Sequence, residues 1–264
     1  MPTEDELLAQ LRAQEGALGD RMLRLLDEAR REMRRKLQAL DPNSDAAVNM
    51  TAMLRATEAA TATLREGLVG ALAKGRGTAA SLGESLALVS LPASESLVAY
   101  QLPLHLVARL ARWEGVRADG VTGELRDTIS NDIRIGMLSG DTLPELEKRI
   151  GLNSRVPRGR FHRAATRIEE LAVTATNRVA NEAIYDRYLD AAGRIDGLQK
   201  MWVTAGDGRV RASHAVLDGV VVPMDGTFDV GGYRGRHPHD ELLPLAQTVR
   251  CRCRLVATLP EGSD

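Results

Sequence analysis

The stretch whose reading decides the fold runs from Trp202 to Leu255. It opens Trp202-Val-Thr-Ala-Gly-Asp207-Gly-Arg-Val-Arg-Ala-Ser-His214 and continues through Leu217-Asp218-Gly219-Val-Val-Val-Pro223 and His237-Pro-His-Asp240. It closes on Cys251-Arg-Cys253-Arg-Leu255. The chain is otherwise poor in special residues, yet this segment holds both cysteines, three of the five histidines and one of the two tryptophans. Nine glycines fall between Gly193 and Gly235. β-prone pieces occur at Met201-Trp-Val-Thr204, at Gly219-Val-Val-Val222 and over 248–257, and Asp207-Gly208 reads as a hairpin turn. A small β-rich domain is expected from about residue 193, with helices before it.

Composition supports that division. Hydrophobic residues make up 44% of the chain but aromatics only 3%, and Ala, Leu, Arg and Glu fill the difference. Packed helices use such a composition, and a large β-sandwich does not. The formal net charge of −1 supplies no global field toward nucleic acid or membrane. No stretch of about 18 apolar residues and no signal-like start occurs, so a soluble product made in a cytoplasm is expected, with no membrane partner. Two cysteines one residue apart suit a reduced pair, since a bridge across one residue is strained.

The N-terminal helices follow from spacing. Thr3 and Glu6 form a capping box, and Leu7, Leu11, Leu18, Met22, Leu25, Ala29, Met33, Leu37 and Leu40 recur every three to four residues. Asp41-Pro42-Asn43-Ser44 breaks this helix, and a second one is expected to end near Gly75-Arg-Gly77. Together they predict an antiparallel hairpin, buried in its own chain or reaching a partner as a coiled-coil-like arm. From Ser94 to Trp113 helix is expected in pieces around Pro103, then another from Gly120 to Leu138. Thr142, Pro144 and Glu145 start a short helix to about Ile150. After a polar joint at 151–159, a helix over about 158–191 carries Ile168, Leu171, Ala172, Ala175, Val179 and Ala183 on its buried stripe. The expectation is α+β: a helical region at 1–152, a connecting helix at 153–192 and a β-rich domain at 193–264.

Three constellations could carry chemistry. Cys251 and Cys253 lie on one side of an extended strand, and with His214 and either His237 or His239 could hold a structural zinc; otherwise the thiols pack as small hydrophobes. A short β-domain with few aromatics would gain the stability its core lacks. Asp207, His214, Asp218 and Asp240 could serve a metal-dependent hydrolase. The plainer reading gives Asp207 and Asp218, each before Gly, to turns. Arg155, Arg158, Arg160, Arg163 and Arg167, with Arg178 beyond and Arg250, Arg252 and Arg254 opposite the cysteines, could touch DNA phosphates or form a solvated, ion-paired face. Trp113 and Trp202 are read as core anchors.

The order Trp202, Asp207-Gly-Arg, His214, Asp218-Gly219, Leu243-Pro244 and Cys251-Arg-Cys253 resembles the bacteriophage head morphogenesis proteins of the Mu F-like (minor head protein) class, over about 140–258. Thr174-Ala-Thr-Asn-Arg-Val-Ala-Asn-Glu-Ala183 is similar to that family's Arg-Thr-Glu helix, although the triplet is not intact here. The loop from Pro223 to His237 is Gly-rich, a departure that should alter any partner contact made there. The resemblance implies a structural virion component without catalytic activity, inside the head near the portal vertex. Its implied partners are the portal oligomer, inner capsid or scaffold proteins and packaged double-stranded DNA. Some relatives carry fused toxin or enzyme domains, for which a chain ending at Asp264 leaves no length.

Overall fold

A computed structural model describes residues 2–41, 43–152 and 159–259. Helix α1 (Glu4–Gln38) starts where the sequence places its cap: the Thr3 backbone N–H donates to the Glu6 carboxylate at 2.8 Å, and the Glu6 N–H to the Thr3 hydroxyl at 3.3 Å. Helix α2 (Ala46–Val89) runs past Gly75 and Gly77, where a stop was expected. Each interior glycine costs about 1 kcal/mol against alanine, but the turns beyond them bury Ala79, Leu82, Leu86 and Ala87. Tertiary burial overrides the local signal.

A 3-10 turn (Ala93–Leu97) follows, then α3 (Leu104–Leu138) as a single helix. The expected pieces are joined because Pro103 precedes the helix, its carbonyl accepting the Leu106 and Val107 N–H groups. Gly115, Gly120 and Gly123 pass through without a break. Helix α4 (Leu143–Ile150) has Thr142 and Glu145 in a capping box and ends on Gly151 in the left-handed region at φ 86°. Helix α5 spans Gly159–Ala192. Of the polar joint, residues 153–158, including Arg155 and Arg158, lie outside the described residues.

The strand-bearing tail contains β1 (Gln199–Val203), α6 (Ala212–Ala215), β2 (Val221–Pro223), β3 (Phe228–Asp229), β4 (Arg234–Gly235), α7 (Leu245–Thr248) and β5 (Arg254–Thr258). Strand β1 is the centre of an antiparallel sheet ordered β2-β1-β5, with Trp202 opposite Leu255 and Lys200 opposite Ala257. Asp207-Gly208 is a turn, but β1 pairs with β2 across the whole of 204–220, so the expected tight hairpin is absent there. The tight hairpin is instead β3–β4, inside the Gly-rich loop. Gly231 and Gly232 sit at φ 62° and 86°, and Asp229 accepts the Gly232 N–H at 2.7 Å.

By contacts the chain divides into two compact units that cut across the sequence segments. One comprises Met1–Ala17, Ala73–Ala111 and Leu171–Asp264; the other Leu18–Leu72 and Arg112–Glu170. The second unit is helical and buries Met22, Leu26 and Met33 of α1, Leu64 and Leu68 of α2, Ile129 and Ile133 of α3, and Phe161 and Ile168 of α5. Leu25 of α1 lies against Gly67 of α2. Trp113 is only half-buried, with the Arg117 guanidinium 5.7 Å from its ring, so it is no core anchor.

In the first unit the tail has no private core. Trp202, Phe228, Val230, Cys251, Cys253 and Leu255 share one cluster with Leu7 and Leu11 of α1, Leu82 and Leu86 of α2, and Ile184 and Tyr188 of α5. The premise that a small β-domain needs a metal to make up for a thin core therefore fails. Among the described residues, no helix is long and apolar enough to cross a membrane.

Candidate functional site

Helix α5 is the platform on which the Cys-Arg-Cys segment is mounted. Thr174, Asn177 and Asn181 share one face by helical spacing, and all are buried. The Thr174 hydroxyl accepts the Arg250 N–H at 3.0 Å, and the Asn181 amide donates to the Cys253 carbonyl at 3.0 Å. Asn177 donates to the buried Glu15 carboxylate at 2.6 Å, and Glu15 in turn takes the Arg252 guanidinium at 2.7–3.2 Å. Arg254 pairs with Glu4. The His239 ring donates from Nε2 to the Cys251 carbonyl at 2.9 Å; burial holds that imidazole down to about 3, so it is neutral. Every residue from 250 to 254 is thus tied to another element.

Two tied residues sit in strained backbone. Among the described residues, His239 (φ 66°) and Arg250 (φ 55°) are the non-glycine positions in the left-handed region. Such conformations cost about 1 kcal/mol or more each and collect where geometry is functional. Here they flank the same pair of sulfurs. The left-handed turn at Arg250 also delays the strand expected from 248, because the chain must turn before β5 can begin at Arg254.

The two thiols meet His214, carried on α6. Its Nδ1 lies 3.4 Å from Cys253 Sγ and 3.6 Å from Cys251 Sγ. Its Nε2 lies 3.1 Å from Gln247 Oε1, which also accepts the Ser213 hydroxyl at 2.9 Å. Trp202 holds the imidazole edge-on, with ring centroids 5.4 Å apart. The Cys251 thiol is drawn below its ordinary range by its hydrogen bond with the Cys253 side chain, against the opposing effect of burial. That bond and burial push Cys253 up. All three residues line a cleft of about 300 Å³ that also carries Asp207, Arg209, Arg211 and Arg250.

The remaining predicted residues fall elsewhere. His237 does not join the sulfurs; its Nδ1 donates to the Pro238 carbonyl at 2.8 Å, its ring lies 4.8 Å from that of Tyr185, and its Nε2 is 3.8 Å from Glu182. Asp218 accepts the Thr204 N–H at 2.7 Å and hydroxyl at 2.9 Å, and the Gly219 N–H donates to the Trp202 carbonyl, so Asp218-Gly219 ties the end of β1. Asp207 accepts the Arg209 N–H at 3.0 Å. Pro244 sits at the start of α7. No carboxylate joins His214 in a metal-ligating group among the described residues. The hydrolase set is therefore not assembled. Of the arginine run, Arg160 pairs with Asp132 at 3.0 Å, while Arg163 and Arg167 both reach Glu124.

Reading the sequence missed a buried charge network beside the site. Glu182, buried on α5, pairs with Arg109, which also reaches Glu241 at 2.9 Å. Asp240, fully buried, takes the Arg236 guanidinium at 2.7 and 2.9 Å and the Arg236 and Leu242 N–H groups at 2.7 and 3.1 Å. Burial alone would raise the Asp240 carboxyl, but these bonds and nearby His237 outweigh it and hold it well below the usual range. Its contribution is then present above the unfolded value near pH 4 and lost as pH falls through the depressed folded value. Denaturant titrations of Asp240→Asn should show a flatter loss of stability than wild type below about pH 4; parallel acid limbs would rule this out.

Residues 127–256 match the phage Mu protein F like protein family. The chain is also 28% identical over 134 residues to the minor head protein GP7 of Bacillus phage SPP1, covering 50% of this chain and 41% of that one. It thus spans less than half the length of this relative. No solved structure matches it significantly. The matched segment begins within α3, includes α4 and α5, and ends in β5, so it contains both the α5 platform and the His214–Cys251–Cys253 centre. Over residues 127–256, the chain is thus similar to the phage Mu protein F like family.

Proposed function

We propose that the chain is a structural minor head protein, associated with the portal and inner capsid, that assists head assembly and DNA packaging or delivery. The observation that carries this is the family match over 127–256, supported by a relative named as a minor head protein. What supports a structural reading is that the polar groups of α5 hold a chain segment in place and that, among the described residues, no carboxylate joins His214 in a metal-ligating group. Mass spectrometry of purified phage heads, counting this chain against portal, should give a small fixed ratio. Absence from heads, together with no binding of the purified chain to its portal oligomer, would overturn the proposal.

A DNA contact through Arg160, Arg163 and Arg167 would compete with their pairing to Asp132 and Glu124. Affinity for duplex DNA should therefore be weak. Glu124→Gln, which releases two of these cations, should steepen the slope of log K against log salt by about one to two. An unchanged slope would remove these arginines from the DNA reading.

A further inference from the structure

The His214–Cys251–Cys253 centre has the shape of a coordination sphere. With zinc–nitrogen bonds of about 2.05 Å and zinc–sulfur bonds of about 2.3 Å, a tetrahedral ion sets its nitrogen and sulfur ligands roughly 3.6 Å apart. The two observed nitrogen–sulfur separations are 3.4 and 3.6 Å, and all three ligand atoms lie within 4.8 Å of one another. A thiol–imidazole hydrogen bond would explain one such distance. It does not explain two, because a single lone pair on Nδ1 accepts a single S–H.

The surroundings favour the metal-binding form of each ligand. Gln247 Oε1 accepts at His214 Nε2, which leaves the Nδ1 lone pair facing the sulfurs; ligating histidines use such a carbonyl on the distal nitrogen. The Cys253 N–H donates to Cys251 Sγ at 3.4 Å, a bond that stabilises a thiolate. The strained backbone at Arg250 and His239 and the ties from Thr174 and Asn181 fix the approach of both cysteines. These expenditures of conformational energy place two sulfurs on one nitrogen.

We propose that His214 Nδ1, Cys251 Sγ and Cys253 Sγ bind one soft divalent cation, zinc by ligand chemistry, with the fourth position open to the cleft that all three line. Thiolate and imidazole ligands select zinc over magnesium or calcium. Two thiolates neutralise the ion as their protons leave to solvent. Arg209, Arg211 and Arg250 around the cleft suit water, hydroxide or an anionic group as the fourth ligand. Because the tail shares its core with α1, α2 and α5, the ion tunes a folded site rather than creating the fold. This inference does not depend on the minor head protein reading.

The test uses the full chain, purified without chelator from zinc-supplemented cells. About one zinc per chain is expected by elemental analysis. After chelation, added Co2+ should give thiolate-to-cobalt charge transfer in the near ultraviolet and the intense visible bands of a tetrahedral ion. Cys251→Ser with Cys253→Ser, and His214→Ala alone, should each weaken binding by about 10-fold or more, read against far-ultraviolet circular dichroism. Should these variants fail to fold, wild type still decides: zinc should protect both thiols from a maleimide. Zinc far below stoichiometry, an octahedral cobalt spectrum and thiols equally reactive with and without zinc would overturn the site.

Discussion

Glu182→Ala should lower unfolding stability by about 3–5 kcal/mol, among the largest losses for a single side chain in this protein. Glu182 is 3% exposed and sits among cations: it pairs with Arg109, and its charge opposes the burial that pulls the Arg178 guanidinium below its ordinary value. Removing the carboxylate strips compensating charge from the buried Arg178 guanidinium and leaves Arg109 with Glu241 alone of its two carboxylates. That penalty exceeds the net worth of the pair, because the desolvation already incurred by the arginines is no longer offset. Arg109→Ala should cost less, since that side chain is 30% exposed and the Glu182 carboxylate keeps other cations near it. Chemical denaturation of the two variants and their double mutant checks this. Equal single losses, with a double mutant no less stable than either, would show that Glu182 acts through Arg109 alone and is not needed by the rest of the network.

The tail's composition pointed to the right segment, yet the reason the segment matters lay elsewhere in the chain. The spacing of Leu7, Leu11 and Leu18 announces a buried face on α1, and Glu15 falls on that same face. An acid inside an apolar stripe signals a buried partner, which proves to be Arg252. Likewise Thr174, Asn177 and Asn181 interrupt the small apolar residues of α5 at helical intervals. That interruption was legible; what was not is that Thr174 and Asn181 reach the segment 250–254, 76 and 72 residues away, and that Asn177 reaches it through Glu15. Helix ends at Thr3 and Thr142 were readable because capping is local. The continuations of α2 past Gly77 and of α3 past Gly120 were not, because burial by distant residues decides them.

These contacts give the Cys-Arg-Cys motif a physical role. The α5 platform supplies donors and acceptors to backbone groups of the Cys-Arg-Cys segment, so its polar residues fix a conformation in strained backbone. Asn181→Leu, which removes the donor to the Cys253 carbonyl while keeping bulk, should cost about 1–3 kcal/mol. By the same logic it should loosen the sulfur geometry, and metal affinity is the sharper readout of that loosening.

Two glycines on α2 should respond to the same substitution with opposite signs. At Gly77 an added Cβ meets nothing within 4 Å, so Gly77→Ala should stabilise the protein by about 0.5–1 kcal/mol through the glycine entropy it removes. At Gly83 the Cβ would lie 2.4 Å from the Ala180 carbonyl oxygen and 2.9 Å from its Cα. Both are backbone atoms of α5, so no side chain can rotate away; α2 and α5 must separate instead. Separation opens the shared cluster where Leu82 and Leu86 meet Ala180 and Ile184, next to the platform that holds Cys253. Overpacking of this kind costs about 1–3 kcal/mol, and Gly83→Val should cost more than Gly83→Ala. The difference between Gly77→Ala and Gly83→Ala, measured by denaturation midpoint at constant slope, isolates the close approach, because helix propensity is common to both. Two equal stabilisations would mean that α2 and α5 do not touch at Gly83, and the mounting of the Cys-Arg-Cys segment would then need another support.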